Sequence, residues 1–267
     1  PCGQAGPWGV PTGKVRFTFS PSVTFNGQPY LEADVGGDGS ILANIPLPDY
    51  PNVGAYTVTA QYMGDANFNA SAASASRSIT IIAASTNVTV STSLSPSVYG
   101  QAVDFVVTVA VNSPGANIPG TTNPAKVATG NIALTLTPSM GPPIVLNGTV
   151  SLAPGMPYTG MATIPSGLLP VGTYNAQATF TSTTSNFLGS VSPLYMGAPN
   201  VPQLVIKANT VTSMTSSANP ALSGNTVTLT ANLVIASPGS GTPTGTVVFK
   251  NGGVPIPGCC LLYTSPS

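Results

Sequence analysis

The chain has 267 residues, and only 4% of them are charged, six basic against six acidic, giving a formal net charge of zero; ordinary domains carry about 25%. With no run of Lys or Arg, neither nucleic acid nor an anionic membrane surface has an electrostatic reason to bind. The absence of His removes the commonest general base and metal ligand, and a 42% apolar share excludes wholesale disorder despite 29 Gly and 28 Pro.

In chain order, Pro1 to Val10 reads as a glycine- and proline-rich loop, with the only tryptophan, Trp8, as a capping aromatic and not a stacking platform for sugars. Lys14 to Phe19 alternates as a strand with Val15, Phe17 and Phe19 inward. Val23 to Leu31 and Ile41 to Ile45 are shorter strand candidates around the Asp34 to Ser40 turn. From Tyr56 to Tyr62, Tyr56, Val58, Ala60 and Tyr62 share one face and Thr57, Thr59 and Gln61 the other. Gly54 turns into this strand, and Tyr56 sits where a sandwich domain places a corner tyrosine; Gly64-Asp65-Ala66-Asn67 turns out of it. Ser78 to Ala83 follows.

Next come Asn87 to Ser93, Ala102 to Val111, Asn131 to Thr137, Ile144 to Leu152, Gly160 to Ile164, Tyr174 to Thr181 and Gln203 to Lys207. Seven short strands between Gly and Pro turns suit a two-sheet sandwich. The last stretch, from about Asn209, carries Thr226 to Ile235 and Thr246 to Lys250. No apolar run reaches the roughly 18 residues of a bilayer-crossing helix; Val103 to Val111 is broken by Asp104 and Thr108. Pro1 is not a translation start, which leaves room for an export signal upstream.

Three phrases recur in order. Val53-Gly54-Ala55-Tyr56 returns as Val171-Gly172-Thr173-Tyr174, and Pro11-Thr12-Gly13 as Ala128-Thr129-Gly130 and Pro243-Thr244-Gly245. Ser95-Pro96-Ser97 to Gly100 returns as Asn219-Pro220-Ala221 to Gly224. Ordered recurrence at nearly common spacing predicts a tandem array, with boundaries at 1–84, 85–208 and 209–267: a unit lacking its opening strands, a complete unit, and a unit lacking its closing strands.

Pro-Thr-Gly before an alternating strand, Val-Gly-x-Tyr opening another and Tyr-x-Gly-Asp-Ala-Asn-Phe after it together resemble the bacterial immunoglobulin-like repeat family, group 3 type. The middle unit departs at Thr181 to Ser185, which lacks the Gly-Asp pair. The resemblance implies an all-β chain of tandem immunoglobulin-like antiparallel sandwiches, one complete and two partial, and an extracellular spacer or adhesion module of a bacterial surface or secreted protein. Its expected partners are neighbouring repeats. The alternative is a module that binds a glycan or surface protein through loops such as Pro114 to Lys126. Where antibody-type domains carry a core cysteine, two residues after the corner tyrosine, the chain has Val58 and Ala176.

No catalytic, cofactor or metal site is assigned. Gly-x-Ser-x-Gly and Ser-x-x-Lys patterns are missing, and Gly239-Ser240-Gly241 leads to a strand instead of a helix, so it reads as a plain loop. Glu32, Asp34 and Asp38 could gather oxygen ligands around Ca²⁺, or a carboxylate pair could serve glycoside hydrolysis. The spacing of a dedicated calcium loop is not met, and the adopted reading is solvated loop charge. Cys2, Cys259 and Cys260 lie near the ends, an odd count that leaves their pairing open. Asn69-Ala70-Ser71, Asn87-Val88-Thr89 and Asn147-Gly148-Thr149 match the glycosylation sequon, a pattern frequent by chance in such a composition. Cys260 to Ser267, which opens with four consecutive apolar residues and resembles translated sequencing-adapter DNA, is expected not to be native.

Overall fold

The computed structural model describes residues 9–45, 50–115, 127–153, 156–165, 169–194 and 202–263. Those residues are all-β, with no helix among them.

The first sheet has four strands in the order β2-β1-β3-β4, with β1 at Lys14–Ser20, β2 at Leu31–Asp34, β3 at Gly54–Tyr62 and β4 at Arg77–Ile81. All its pairings are antiparallel, with Phe17 opposite Ala60 and Phe19 opposite Val58. Alternation puts Val15 and Phe19 in the interior, and Phe19 packs on Phe25 with ring centroids 5.1 Å apart.

The second sheet contains β5 (Thr86–Thr92), β6 (Ser97–Val98), β7 (Asp104–Val111), β8 (Gly130–Pro138), β9 (Ile144–Ala153), β10 (Met156–Pro165), β11 (Gly172–Ser182), β12 (Ser190–Val191) and β13 (Gln203–Ile206). Its path runs β5-β7-β10-β9-β8-β11-β13-β6, with β12 also on β11. The turn in this path is made by β9, which pairs with β8 through Ile144 to Val150 and with β10 through Ser151 to Ala153. The sheet therefore curls, and the β5–β7 side lies over the β8–β11 side. Val88, Phe105, Val107 and Val109 from one side meet Ile132, Leu134, Ala176 and Phe180 from the other in one core. Strict alternation makes this possible: in β7 and β8 every second residue is buried while Asp104, Asn131 and Thr137 point to water.

β14 (Thr210–Ser216) and β15 (Leu229–Ile235) form a two-stranded ribbon, and β16 (Gly245–Asn251) and β17 (Val254–Tyr263) another. Every residue of β14 is exposed. Cys260 to Tyr263 lie in β17, their backbone paired with Gly245 to Val248; Thr264 to Ser267 are outside the described residues.

The registers recur. Thr86 faces Val111 in the curled sheet, and Thr210 faces Ile235 in the ribbon. The Ser93 N–H donates to the Asp104 carbonyl, and the Ser217 N–H to that of Thr228. Likewise Phe17 opposite Ala60 matches Leu134 opposite Ala178, and Tyr56 opposite Ile79 matches Tyr174 opposite Gln203. Thus β2-β1-β3-β4 has the pairing of β9-β8-β11-β13, and β14-β15 that of β5-β7.

Two expected strands are corrected. Val23 to Leu31 is mostly a turn closed by reciprocal Phe25 and Gln28 backbone bonds, with pairing starting only at Leu31. Ile41 to Ile45 is not a strand. Its sequence Ala43-Asn44-Ile45-Pro46 echoes Ala162-Thr163-Ile164-Pro165 of β10, which is a strand because β7 pairs with it. No strand among the described residues pairs with Ile41 to Ile45, and an extended segment without a ladder partner has no backbone bonds to hold it.

Both tyrosines occupy corners. The Tyr174 hydroxyl donates to the Pro170 carbonyl at 2.8 Å, and the Tyr56 hydroxyl to the Asn52 carbonyl at 2.9 Å. Each ring lies over the glycine two residues earlier, Gly172 or Gly54. Tyr174 is buried and Ala176 and Ala178, below it, are fully so. Tyr174→Phe is expected to cost about 1 kcal/mol, the net value of one hydrogen bond, readable as a shift in denaturation midpoint with an unchanged slope.

Candidate functional site

The acids singled out in the sequence are held apart by their own partners. Register places Glu32 opposite Arg16 and Asp34 opposite Lys14. The Glu32 carboxylate accepts from Arg16 Nη2 at 2.9 Å and Nε at 3.1 Å, while the Arg16 guanidinium lies 3.8 Å from the Tyr30 ring centroid. Lys14 Nζ is 3.3 Å from Asp34 Oδ1 in an exposed pair. Asp38 accepts from the Ser40 hydroxyl and N–H, which holds its carboxyl below the usual range. Among the described residues no three Cys, Asp or Glu side chains converge on a possible metal position. Glu32 and Asp34 are thus cross-strand ion-pair partners of β1 more than free loop charges, something visible only once the β1–β2 register is known. Trp8, Cys2 and residues 116–126 of the long loop lie outside the described residues.

The recurring Pro-Thr-Gly phrase and the Gly-Asp-Ala-Asn-Phe phrase, which occurs once, meet in space. Asp65 Oδ2 accepts from the Thr12 N–H at 2.7 Å and its hydroxyl at 2.8 Å, while Oδ1 accepts from the Asn67 and Phe68 N–H groups at 2.7 Å. The Tyr62 hydroxyl donates to the Thr12 carbonyl at 2.6 Å. Gly13 has φ of +90°, and a Cβ there would stand 2.7 Å from the Gly64 carbonyl oxygen, so no other residue fits this crossing. In the curled sheet Thr183 stands in the place of Asp65: its N–H and hydroxyl both donate to the Thr129 carbonyl at 3.1 Å.

The Thr12 bonds, backbone first and hydroxyl second, hold the Asp65 carboxyl far below the usual carboxylate range. A depressed folded-state pKa stabilises above the unfolded value, about 3.9, and that stabilisation is lost as pH falls through the folded value. Asp65→Asn should therefore weaken protection of the Thr12 and Phe68 amides at neutral pH. The difference from the native chain should shrink below about pH 4, as followed by hydrogen exchange.

Two junctions connect the sheets. At the first, residues 82–85 link β4 to β5. Asn186, buried at 6% exposure, accepts from the Val53 N–H at 2.7 Å through Oδ1 and donates through Nδ2 to Asn52 Oδ1 at 2.9 Å. Its carbonyl accepts from the Ala84 N–H, and the Ala84 carbonyl from Leu188. Gly115 lies so close beneath the linker that a Cβ on it would be 2.5 Å from the Ala84 Cβ. At the second junction Gly239 stands in the same relation to Ala208, again at 2.5 Å. There the Ser240 hydroxyl donates to the Gly100 carbonyl at 2.6 Å and its N–H to that of Tyr99. The Gly239-Ser240-Gly241 loop is the seat of this junction, a role its composition does not announce.

Two cavities matter. One of about 250 Å³ lies at the first junction, lined by Tyr50, Val53, Ile81, Pro114 and Phe187. The other, a trough of about 430 Å³, lies on the first sheet between Phe17, Leu31, Leu42, Val58, Ala60 and Ile79. Small-ligand sites combine an apolar wall with several convergent polar groups; the trough's polar side chains are Thr59, Ser74 and Arg77. No helix among the described residues is long and apolar enough to cross a membrane. No family model matches the chain, and no curated protein does.

Proposed function

We propose that the chain is a run of immunoglobulin-like sandwiches whose role is mechanical, a spacer in a bacterial secreted or surface protein that holds other parts at a set distance. The observation that carries this reading is the pair of junctions: a glycine of the same recurring Ser-Pro-Gly loop, Gly115 and Gly239, is pressed under a linker alanine, Ala84 and Ala208, at both. Linkers this short leave few dihedral angles free. The Asn186 bonds to Asn52 and Val53 add a buried polar lock at the first junction, where an unmade bond costs about 1–3 kcal/mol.

The sandwich reading draws on the strand pairing of residues 85–208. β5-β7-β10 on one side and β8-β11-β13 on the other, with a tyrosine corner opening β11, follow the order of an immunoglobulin-like domain, and β6 runs parallel to β13. The recurrence of the same registers in the flanking sheets supports an array.

The competing reading is a module that binds a glycan or protein through its loops. Screening the whole chain on a glycan array separates the two: a spacer gives no saturable signal, and a binder with a micromolar-or-tighter target would replace the mechanical reading.

A further inference from the structure

Gln203 is the largest wholly buried polar side chain among the described residues, 0% exposed, and Ser97 beside it is almost as deep. Neither the apolar core nor the junctions use it. Its amide oxygen accepts from the Thr92 hydroxyl at 3.0 Å, and its amide nitrogen donates to Ser97 Oγ at 3.1 Å and to the Leu204 carbonyl at 3.2 Å. Thr92 ends β5 and Ser97 opens β6. One side chain of β13, the last strand of the curled sheet in chain order, therefore holds the first two strands of that sheet.

We infer that Gln203 is a mechanical latch, which keeps the curled sheet closed when the chain is pulled lengthwise. The inference rests on the mechanical reading above and names the contact that would carry the load. Tension along the chain enters the curled sheet through residues 82–85, ahead of β5, and leaves through residues 207–209, after β13. Because β6 and β13 run parallel, β6 is drawn back along its axis while β13 is drawn forward. The bonds between them lie across the pull and are strained together, not one after another. Yet the ladder has only two residue pairs, Ser97 with Val205 and Val98 with Ile206. Side chains and one flanking bond extend it: Ser95 Oγ accepts from the Leu204 N–H at 3.2 Å, and the Tyr99 N–H donates to the Ile206 carbonyl at 2.8 Å. The Gln203 amide adds bonds that water does not reach. Sliding β6 along β13 would leave that amide and two hydroxyls unpaired in the interior, which is costly in a way that an exposed bond is not.

The test is single-molecule force spectroscopy of the full chain, with Cys2, Cys259 and Cys260 changed to Ser, held either by tags at its two ends or by cysteines placed at Asn112 and Met140. Asn112 bonds to Ser85 at the first junction, and Met140 follows Ser139, which bonds to Thr173 at the other end of the sheet. The second attachment therefore pulls on β7 and β8 and leaves β6 and β13 unloaded. With end tags, opening of residues 86–206 is recognised by a gain in length on the order of 400 Å. At a fixed force Gln203→Leu should speed that opening about tenfold or more, while opening between Asn112 and Met140 changes less than about twofold. Ser97→Ala, a smaller change at the same contact, should show the same asymmetry at about threefold. Equal acceleration in both pulling directions would make Gln203 an ordinary packing residue, and no acceleration with end tags would remove the latch altogether; either result overturns the inference. Distances across the first junction do not depend on Gln203, so the spacer reading stands or falls separately.

Discussion

Replacing Phe105 by Ala is expected to lower the stability of the curled sheet and its core by about 3–5 kcal/mol, a large part of the 5–15 kcal/mol typical of a whole domain. Phe105 is fully buried in a core that it shares with Leu134, Leu136, Tyr174 and Phe180, and loss of its ring leaves a cavity that these neighbours fill only in part. No disulfide can stand in for it, since no cysteine lies between Cys2 and Cys259. The equivalent ribbon change, Leu229→Ala, should cost less in dilute solution, because Leu229 is 36% exposed whereas Phe105 is fully buried. Guanidinium titrations of the two variants check the contrast; equal losses would mean that the two positions are not packed as described.

Gly130→Ala should be the next most damaging change, at about 1–3 kcal/mol. A Cβ at Gly130 would overlap the Thr181 carbonyl oxygen and stand 2.7 Å from the Phe180 ring. The first obstacle is backbone of the paired strand β11 and the second is a buried core ring, so neither can yield cheaply. The effect should appear as a lowered melting temperature with the Tyr174 corner intact. A variant as stable as the native chain would show that the close Thr129-Gly130 crossing is not needed for folding.

Alternation made most strands legible. Val15, Phe17 and Phe19, the Tyr56 to Tyr62 face and the Tyr174 to Phe180 face all fall as the period of two requires, and the corner bonds of Tyr56 and Tyr174 follow from their place after a glycine turn. Ile41 to Ile45 could not be judged from its own residues. Its side chains suit a strand, but strand formation depends on a partner supplied by distant sequence. The Glu32 and Asp34 pairs were hidden for the same reason, since the register between β1 and β2 decides which charges meet. Asn186 carried no local signal at all. An asparagine after an alternating strand reads as turn chemistry, and its bonds to Asn52 and Val53 arise only where the first sheet meets the curled sheet.

That junction is the point on which the spacer account turns. Its direct test is a distance distribution by pulsed electron paramagnetic resonance, with spin labels on cysteines placed at the exposed positions Thr57 and Thr179 and the native cysteines changed to Ser, in dilute solution. A single narrow peak, broadened by Asn186→Ala, is the predicted result. A broad distribution already present with Asn186 intact would contradict the account.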